Sequence, residues 1–280
     1  MINPGTVRVT EDRNVCYLNK PEIIPVDTGA ADFTAIERHI TMEIEMTTDD
    51  THIKTATIAG VLFIIATFAS ILSTLFLKSV NASDYLVAVS ANQSQVTAGA
   101  LLLFIAAITS AGIAISLYSL LKKYNKGLAL GAVCFRLIEA AFYLIGVLGL
   151  LLLLTLSQEF VKAGTPDASS FQILGTVLLA RRNWAGFVLA PSVFGIGALM
   201  YYYIFYKSNL IPRWLSGWGL IGATLMIAAS MLVMFNFIGL MSTIFIVLVI
   251  PIAIQEMVLA FWLIIKGFNQ SAIAAVSARG

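Results

Sequence analysis

The sequence contains few charged side chains. Only 11% of its 280 residues are Asp, Glu, Lys or Arg, whereas 59% are hydrophobic. A soluble domain typically carries about 25% charged residues, so this chain could not keep its surface in water. The composition excludes an ordinary soluble domain and indicates a protein whose solvent is lipid.

Cysteine and histidine are also scarce. The cysteines are Cys16 and Cys134, and the histidines are His39 and His52. Cys16 lies in a polar segment and Cys134 in an apolar run, so we expect no disulfide between them. Because the Cys and His residues do not have zinc-ligand spacing, we predict no metal site, and we predict no cofactor.

Acidic residues are concentrated near the N-terminus. Residues 1–53 contain ten of the fifteen acidic residues and form a polar segment without a clear period, which we predict to be disordered. They lack the apolar stretch of a signal peptide. Met42 and Met46 lie just before the apolar body and are alternative candidates for the start of the chain. The rest of the chain is basic, which cytoplasmic loops explain without a nucleic-acid partner.

Six apolar runs follow the acidic segment. Each is close to the roughly 20 residues that a membrane-spanning helix needs, and they cover residues 57–77, 96–121, 128–156, 184–206, 214–235 and 244–265. We therefore predict an all-α, polytopic membrane helix bundle with six transmembrane helices over residues 54–268, followed by a short cytoplasmic tail at 269–280.

A shorter apolar run precedes the fourth span. It covers residues 171–180 and ends at Arg181 and Arg182. It is too short to cross a bilayer. We expect a short outer helix near 167–182, either interfacial or re-entrant, with an outer extension of the fourth helix as the alternative.

Lysine and arginine counts predict the orientation. With the N-terminus inside, the cytoplasmic segments carry eight basic residues and the outer segments carry four. Positively charged loops remain in the cytoplasm, so we expect both termini inside. The predicted partner is the lipid bilayer.

Ionisable residues inside the apolar runs are the candidate site. Arg136 and Glu139 lie three residues apart in the third run, on one helix face, and Glu256 lies in the sixth. The helical rise puts both glutamates roughly 15 Å from the inner helix ends. A charge in lipid usually faces the bundle interior beside a partner. We therefore predict a buried polar cluster of Arg136, Glu139, Gln255 and Glu256.

One arginine cannot neutralise two carboxylates. One glutamate then carries a proton, or Arg182 reaches in from the fourth helix, or a cationic ligand fills the gap. Tyr143 continues the stripe of Glu139 and is a further possible member. Pro251 precedes Glu256 and frees a backbone carbonyl beside it. Aromatic residues also lie near helix ends, and most of them are interpreted as interfacial anchors: Trp184, Trp214, Trp218 and the run Tyr201-Tyr202-Tyr203.

Several stretches with polar residues at fixed places in apolar runs resemble one family. They are residues 54–60 (KTATIAG), 135–139 (FRLIE), 156–160 (LSQEF), 166–169 (PDAS), 213–219 (RWLSGWG) and 251–257 (PIAIQEM). Over residues 54–275 the chain resembles the integral membrane proteins of domain of unknown function 4386. The resemblance implies a prokaryotic inner membrane and brings no established activity.

Three classes of function fit these residues. In the first, the protein is structural or accessory, and the Arg/Glu network fixes helix register. In the second, it transports or binds a small molecule or ion, such as a cationic ligand, at a mid-membrane carboxylate site. In the third, it is a membrane enzyme that uses the two carboxylates as acid and base. No nucleophile motif accompanies them, so no catalytic residue is assigned and an enzyme is the less favoured interpretation.

Overall fold

A computed structural model describes residues 15–17, 23–25, 30–164, 168–240 and 242–277. Side chains are described from residue 51 onward, apart from residues 165–168, 241 and 277–280. The predictions about Cys16, Met42 and Met46 concern side chains or start sites outside this part. The chain divides into two compact units, Met1–Thr51 and His52–Gly280.

The first unit contains a small antiparallel strand pair. Strand β1 (Val15–Tyr17) pairs with β2 (Ile23–Pro25), with Val15 opposite Pro25. Helix α1 begins at Ala30 and ends at Phe76. The described parts of the segment predicted to be disordered thus have regular structure, and the rest of that prediction falls outside the described residues.

The second unit is built from helices. In chain order they are the end of α1, a 3₁₀ turn (Lys78–Asn81), α2 (Tyr85–Ala91), α3 (Gln93–Leu121), α4 (Lys126–Ala163), α5 (Ala168–Asn183), a π-helical segment (Trp184–Leu189), α6 (Ala190–Ser208), α7 (Arg213–Met234), α8 (Thr243–Ile265) and α9 (Gln270–Ser277). In the described part of the chain, six helical stretches are long and apolar enough to cross a membrane. This confirms the predicted all-α bundle with six spans.

The fourth span is much longer than predicted. Helix α5 lies where the short helix near 167–182 was expected, and it continues through the π-helical segment into α6, giving one apolar helical stretch, Ser169–Ser208. At 1.5 Å per residue these 40 residues measure roughly 60 Å, about twice the hydrocarbon core. The predicted short helix is thus present as an extension of the fourth span, the alternative considered from the sequence.

The π-helical segment has a local cause. Pro191 lacks a backbone N–H, and its ring would collide with the carbonyl of Phe187 in a regular α-helix. The segment lies immediately before Pro191 and absorbs this mismatch by widening the turn. Single π turns of this kind are frequent at functional sites.

Polar residues set several helix ends. Asn125 accepts a hydrogen bond from the backbone N–H of Leu128 (2.9 Å) at the start of α4, and Ser242 accepts one from Phe245 (3.3 Å) at the start of α8. Such caps satisfy otherwise unpaired N–H groups. Asn209 ends α6 in the left-handed conformation, with φ 56°.

The six spans form a ring. Helix α3 packs on α4, α4 on α6, α6 on α7, and α7 on α8. Helix α1 closes the ring, because Gly60 lies against Ala260 and Ile264 of α8, and Leu62 lies opposite Gly112 of α3. Large apolar side chains on the outside, such as Phe68, face away from the ring. The ring leaves an interior that residues from every span can reach.

Helix α9 packs at the end of the bundle that carries the two short loops. The Tyr124 hydroxyl donates to the Ala272 carbonyl (3.0 Å), and the Asn269 N–H donates to the Leu210 carbonyl (2.9 Å). Ile273 is buried in the main core. The described part of the segment predicted as a tail, 269–280, therefore includes a docked helix.

Candidate functional site

Arg136 is the centre of the buried polar group. It lies on α4, is 2% exposed, and directs its guanidinium into the ring. Nη1 donates to Glu139 Oε2 (3.0 Å), and Nη2 donates to Glu256 Oε1 on α8 (3.3 Å). One guanidinium therefore bridges two carboxylates on two different helices.

One carboxylate oxygen of Glu139 has two hydrogen-bond donors. Glu139 is 2% exposed, and its Oε2 also accepts a hydrogen bond from the Ser110 hydroxyl (2.9 Å) on α3. The Ser110 oxygen in turn accepts from Arg136 Nη1 (2.9 Å). The three side chains form a closed triangle of charge-assisted hydrogen bonds, the stronger kind of hydrogen bond.

The Glu256 carboxylate is more exposed than that of Glu139, and Arg136 is its hydrogen-bond donor. The Glu256 side chain is 15% exposed, against 3% for Glu139, and its contact with Arg136 is the longer of the two. Among the described residues, Arg136 is the only cation within ion-pair distance of Glu256. Glu256 is thus the carboxylate with room for a further partner.

Aromatic rings of α6 enclose the guanidinium. The Phe194 ring centroid lies 4.4 Å from Arg136 Cζ, and the Tyr201 centroid lies at 5.6 Å. The Tyr201 hydroxyl also accepts a hydrogen bond from Arg136 Nη2 (3.2 Å). Ring faces attract a cation, so α6 stabilises Arg136 without adding a negative charge.

Gln255 faces a different neighbourhood. It is fully buried, its amide nitrogen donates to the Leu215 carbonyl (3.1 Å), and its amide oxygen accepts from the Tyr202 hydroxyl. These bonds tie α8 to α6 and α7. Residues next to each other in a helix do not share a face, so Gln255 does not touch the ion cluster that contains its neighbour Glu256.

A cavity of about 190 Å³ borders the ion cluster. Arg136, Glu139 and Glu256 form part of its wall, and the other spans contribute as well. The residues that line it from the remaining four spans include Ser70 of α1, Ser110 of α3, Phe194 of α6 and Met226 of α7. The charged groups therefore face a cavity to which all six spans contribute.

A larger cavity of about 310 Å³ adjoins the first. The two share Ser70, Tyr143, Pro191, Met226 and Ala253 as lining residues. Tyr143, a possible member of the cluster from the sequence, thus lies between the two cavities.

Arg182, the other possible member, lines only the larger cavity. Within the part of the chain that the structure describes, it forms no ion pair with Glu139 or Glu256. In the described part of the chain, its guanidinium lies over the Phe187 ring and donates a hydrogen bond to the Asn183 side-chain oxygen.

Sequence reasoning missed Ser110 and misread two tyrosines. Tyr201 and Tyr202 are 1% and 0% exposed, so their interpretation as interfacial anchors was wrong: Tyr201 accepts a hydrogen bond from Arg136, and Tyr202 donates one to Gln255. Tyr203 is 46% exposed, as an anchor would be. The available signal was the spacing of Phe194 and Tyr201, two helical turns apart on one face.

Six apolar helices around an internal Arg/Glu cluster define a polytopic α-helical membrane protein with a polar centre. The chain belongs to the family of domain of unknown function 4386, whose sequence pattern matches residues 58–267. This confirms the resemblance seen in the sequence. No curated protein and no solved structure matches the chain.

Proposed function

We propose that this protein binds and carries a small cationic solute or a proton across the membrane, with Glu256 as the carboxylate that exchanges it. The observation that supports this most directly is the cavity beside Arg136, Glu139 and Glu256, to which all six spans contribute. A ligand in this cavity would contact both carboxylates and the guanidinium.

The charges of the cluster support a cationic ligand. Arg136 carries one positive charge, and Glu139 balances it within the triangle that includes Ser110. Glu256 then contributes a second negative charge in the membrane interior, where a lone charge costs several kcal/mol. A proton or a cation on Glu256 removes this cost, and the partial exposure of Glu256 leaves access to it.

The protein's place in the cell is part of the proposal. We propose that it lies in the inner membrane of a prokaryotic cell, with both termini in the cytoplasm. The support is the excess of lysine and arginine in the segments between predicted inner helix ends. A carrier for cations in this membrane would use the membrane potential, which favours inward movement of positive charge.

A structural role is the second candidate. Arg136 bridges helices α4 and α8, so the same contacts would lock their register. Removing either glutamate would then lower stability without affecting any flux. The membrane-enzyme interpretation stays a prediction.

The test uses purified protein in liposomes, with a trapped pH-sensitive dye for protons and radiolabelled tetraethylammonium as an organic cation. We expect flux of at least one probe with the wild type, loss of that flux in Glu256→Gln, and normal flux in Glu159→Gln. Glu159 is an exposed carboxylate paired with Lys162, so it controls for the loss of a negative charge. Equal flux in Glu256→Gln and the wild type would contradict the proposal. A lowered melting temperature without any wild-type flux would favour the structural role.

A further inference from the structure

The larger cavity differs in character from the space beside the glutamates. Its wall is mostly hydrocarbon and includes Leu77, Leu103, Phe245 and Val249. Arg182 is the only charged residue among those that line it in the described part of the chain. An apolar space with one guanidinium in its wall fits a ligand that is itself apolar with one negative end.

Arg182 is buried and has no counter-ion among the described residues. It is 9% exposed, and its recorded contacts are the Phe187 ring (5.4 Å to the centroid) and the Asn183 side-chain oxygen (3.4 Å). Among the described residues, no carboxylate lies within ion-pair distance of it. A buried charge normally has a partner of opposite charge, so we expect an anion to bind beside Arg182.

Arg181, the preceding residue, packs against α4 and is not among the residues that line the cavity. It lies on Gly149 of α4 so closely that a Cβ there would overlap it, and its Nε and Nη2 are buried with no acceptor in the described part of the chain. One turn earlier on the same face of α4, Gly146 lines the larger cavity and has open space where its Cβ would be. The absence of a side chain at Gly149 leaves room for the Arg181 guanidinium, and its absence at Gly146 leaves room for the cavity.

The depth of this pair matches that of lipid headgroups. Arg181 and Arg182 immediately precede the apolar run 184–206, and Trp184 beside them is 44% exposed. Exposed tryptophan is typical of the membrane interface. Along α4, Gly149 lies roughly 15 Å from Glu139, about half of the hydrocarbon thickness. The cavity thus runs from the level of headgroups toward the middle of the membrane.

We propose that the larger cavity binds an anionic amphiphile, with its hydrocarbon chain in the apolar space and its carboxylate or phosphate on Arg182, the guanidinium that lines the cavity. Arginine presents paired N–H donors that match the oxygens of both groups. The ligand comes either from the bilayer, as an anionic phospholipid, or from solution, as a fatty-acid anion. This site does not depend on a cation at Glu256.

The test measures binding to detergent-purified full-length protein by native mass spectrometry and thermal unfolding. Dodecanoate and phosphatidylglycerol are the anionic probes. Dodecanol and phosphatidylcholine are the respective controls without net negative charge. Inorganic phosphate tests whether an anion without a hydrocarbon chain binds. We expect dodecanoate to bind more tightly than dodecanol by about ten-fold or more, because dodecanol lacks the carboxylate that accepts charge-assisted hydrogen bonds. Phosphatidylcholine keeps its phosphate but also carries a trimethylammonium group, so we expect it to bind less tightly than phosphatidylglycerol. Binding of phosphatidylglycerol alone assigns the site to membrane lipid, and binding of dodecanoate alone assigns it to a soluble amphiphile.

Three variants complete the test. Arg182→Gln should weaken the anionic probe by about ten-fold or more. Gly146→Leu should fill the cavity and weaken binding while both arginines stay in place. Arg213→Gln, which removes an exposed arginine at the start of α7 that does not line the cavity, should bind as the wild type does. Equal binding of dodecanoate and dodecanol, or unchanged binding in both Arg182→Gln and Gly146→Leu, would overturn the proposal.

Discussion

Arg136 and Glu256 are 120 residues apart in the chain, and Arg136 Nη2 lies 3.3 Å from Glu256 Oε1. This contact joins α4 to α8 across the interior of the ring, although the two helices lie far apart in the sequence. The same guanidinium holds Glu139 at 3.0 Å. Arg136 is therefore the residue on which the geometry of both carboxylates depends.

The first prediction concerns the loss of that arginine. Arg136→Gln leaves Glu139 and Glu256 without a positive partner in an apolar interior, so we expect it to destabilise the protein by about 3–5 kcal/mol. Arg136→Lys should destabilise the protein less, because the positive charge remains. Some destabilisation should persist, because lysine has a single ammonium group and cannot place separate N–H donors on both glutamates as Arg136 does. Thermal unfolding in detergent measures both effects. The exposed arginine variant Arg213→Gln is the control, and a melting temperature as high for Arg136→Gln as for that control would contradict the prediction.

The second prediction separates the two glutamates by chemistry. Dicyclohexylcarbodiimide enters apolar sites and adds to protonated carboxyl groups. We expect it to label Glu256, which has an incomplete set of partners, and to spare Glu139, which is bonded to Arg136 and Ser110. Peptide mass spectrometry locates the label.

Two further measurements belong to this experiment. Glu256→Gln should abolish labelling of the protein, and Glu159→Gln should not change it. A label on Glu139 instead of Glu256 would show that the assignment of the exchanging carboxylate is wrong. An unlabelled protein would mean that Glu256 stays ionised and paired, as a structural network requires.

The sequence was sufficient for the spans and for the charged residues of the site. Apolar run length predicts a crossing directly, because lipid leaves no alternative for a long apolar helix. Arg136, Glu139 and Glu256 could be selected because a charge inside an apolar run needs an explanation. The length of the fourth span was not predicted, since Arg181 and Arg182 interrupt its hydrophobicity while the helix continues.

The neutral partners could not be selected in the same way. Ser110 and Tyr201 are residue types that membrane helices contain for many reasons, and only their positions relative to Arg136 give them a role. Gln255 was grouped with Glu256 by adjacency in sequence. Helix geometry argues against that grouping, because neighbouring residues point about 100° apart, and Gln255 does contact Leu215 and Tyr202 instead.

The third prediction concerns the contact between α7 and α8. A Cβ at Gly222 would lie 3.0 Å from Ile252 Cα and 3.1 Å from its backbone nitrogen, neither of which can move without the helix. We expect Gly222→Ala to separate the helices and to cost about 1–3 kcal/mol. Gly217→Ala on the same helix is the matched control, because its Cβ would meet only the Tyr206 ring at 3.9 Å. Thermal unfolding that ranks the two variants equally would refute this account of the contact.

The fourth prediction is a dependence of stability on alkaline pH. Partial burial raises the pKa of Tyr124, whose hydroxyl donates to the Ala272 carbonyl of α9. Only the protonated phenol can donate this bond, and the folded state holds the proton more tightly than the unfolded state does. The stabilisation is therefore complete below the unfolded pKa of about 10 and is lost as the pH rises through the folded value.

Tyr124→Phe provides the test of that pH dependence. It removes both the hydrogen bond and the ionisation, so the variant should be less stable than the wild type at pH 8 and should lose less stability between pH 9 and 11. Hydrogen exchange in Gln270–Ser277 should be faster in the variant at the lower pH, since α9 is then held by Ile273 and Asn269 without the tyrosine. Tyr203→Phe, at an exposed tyrosine on α6, should leave both measurements unchanged. Parallel pH profiles for the wild type and Tyr124→Phe would mean that another group carries the alkaline transition.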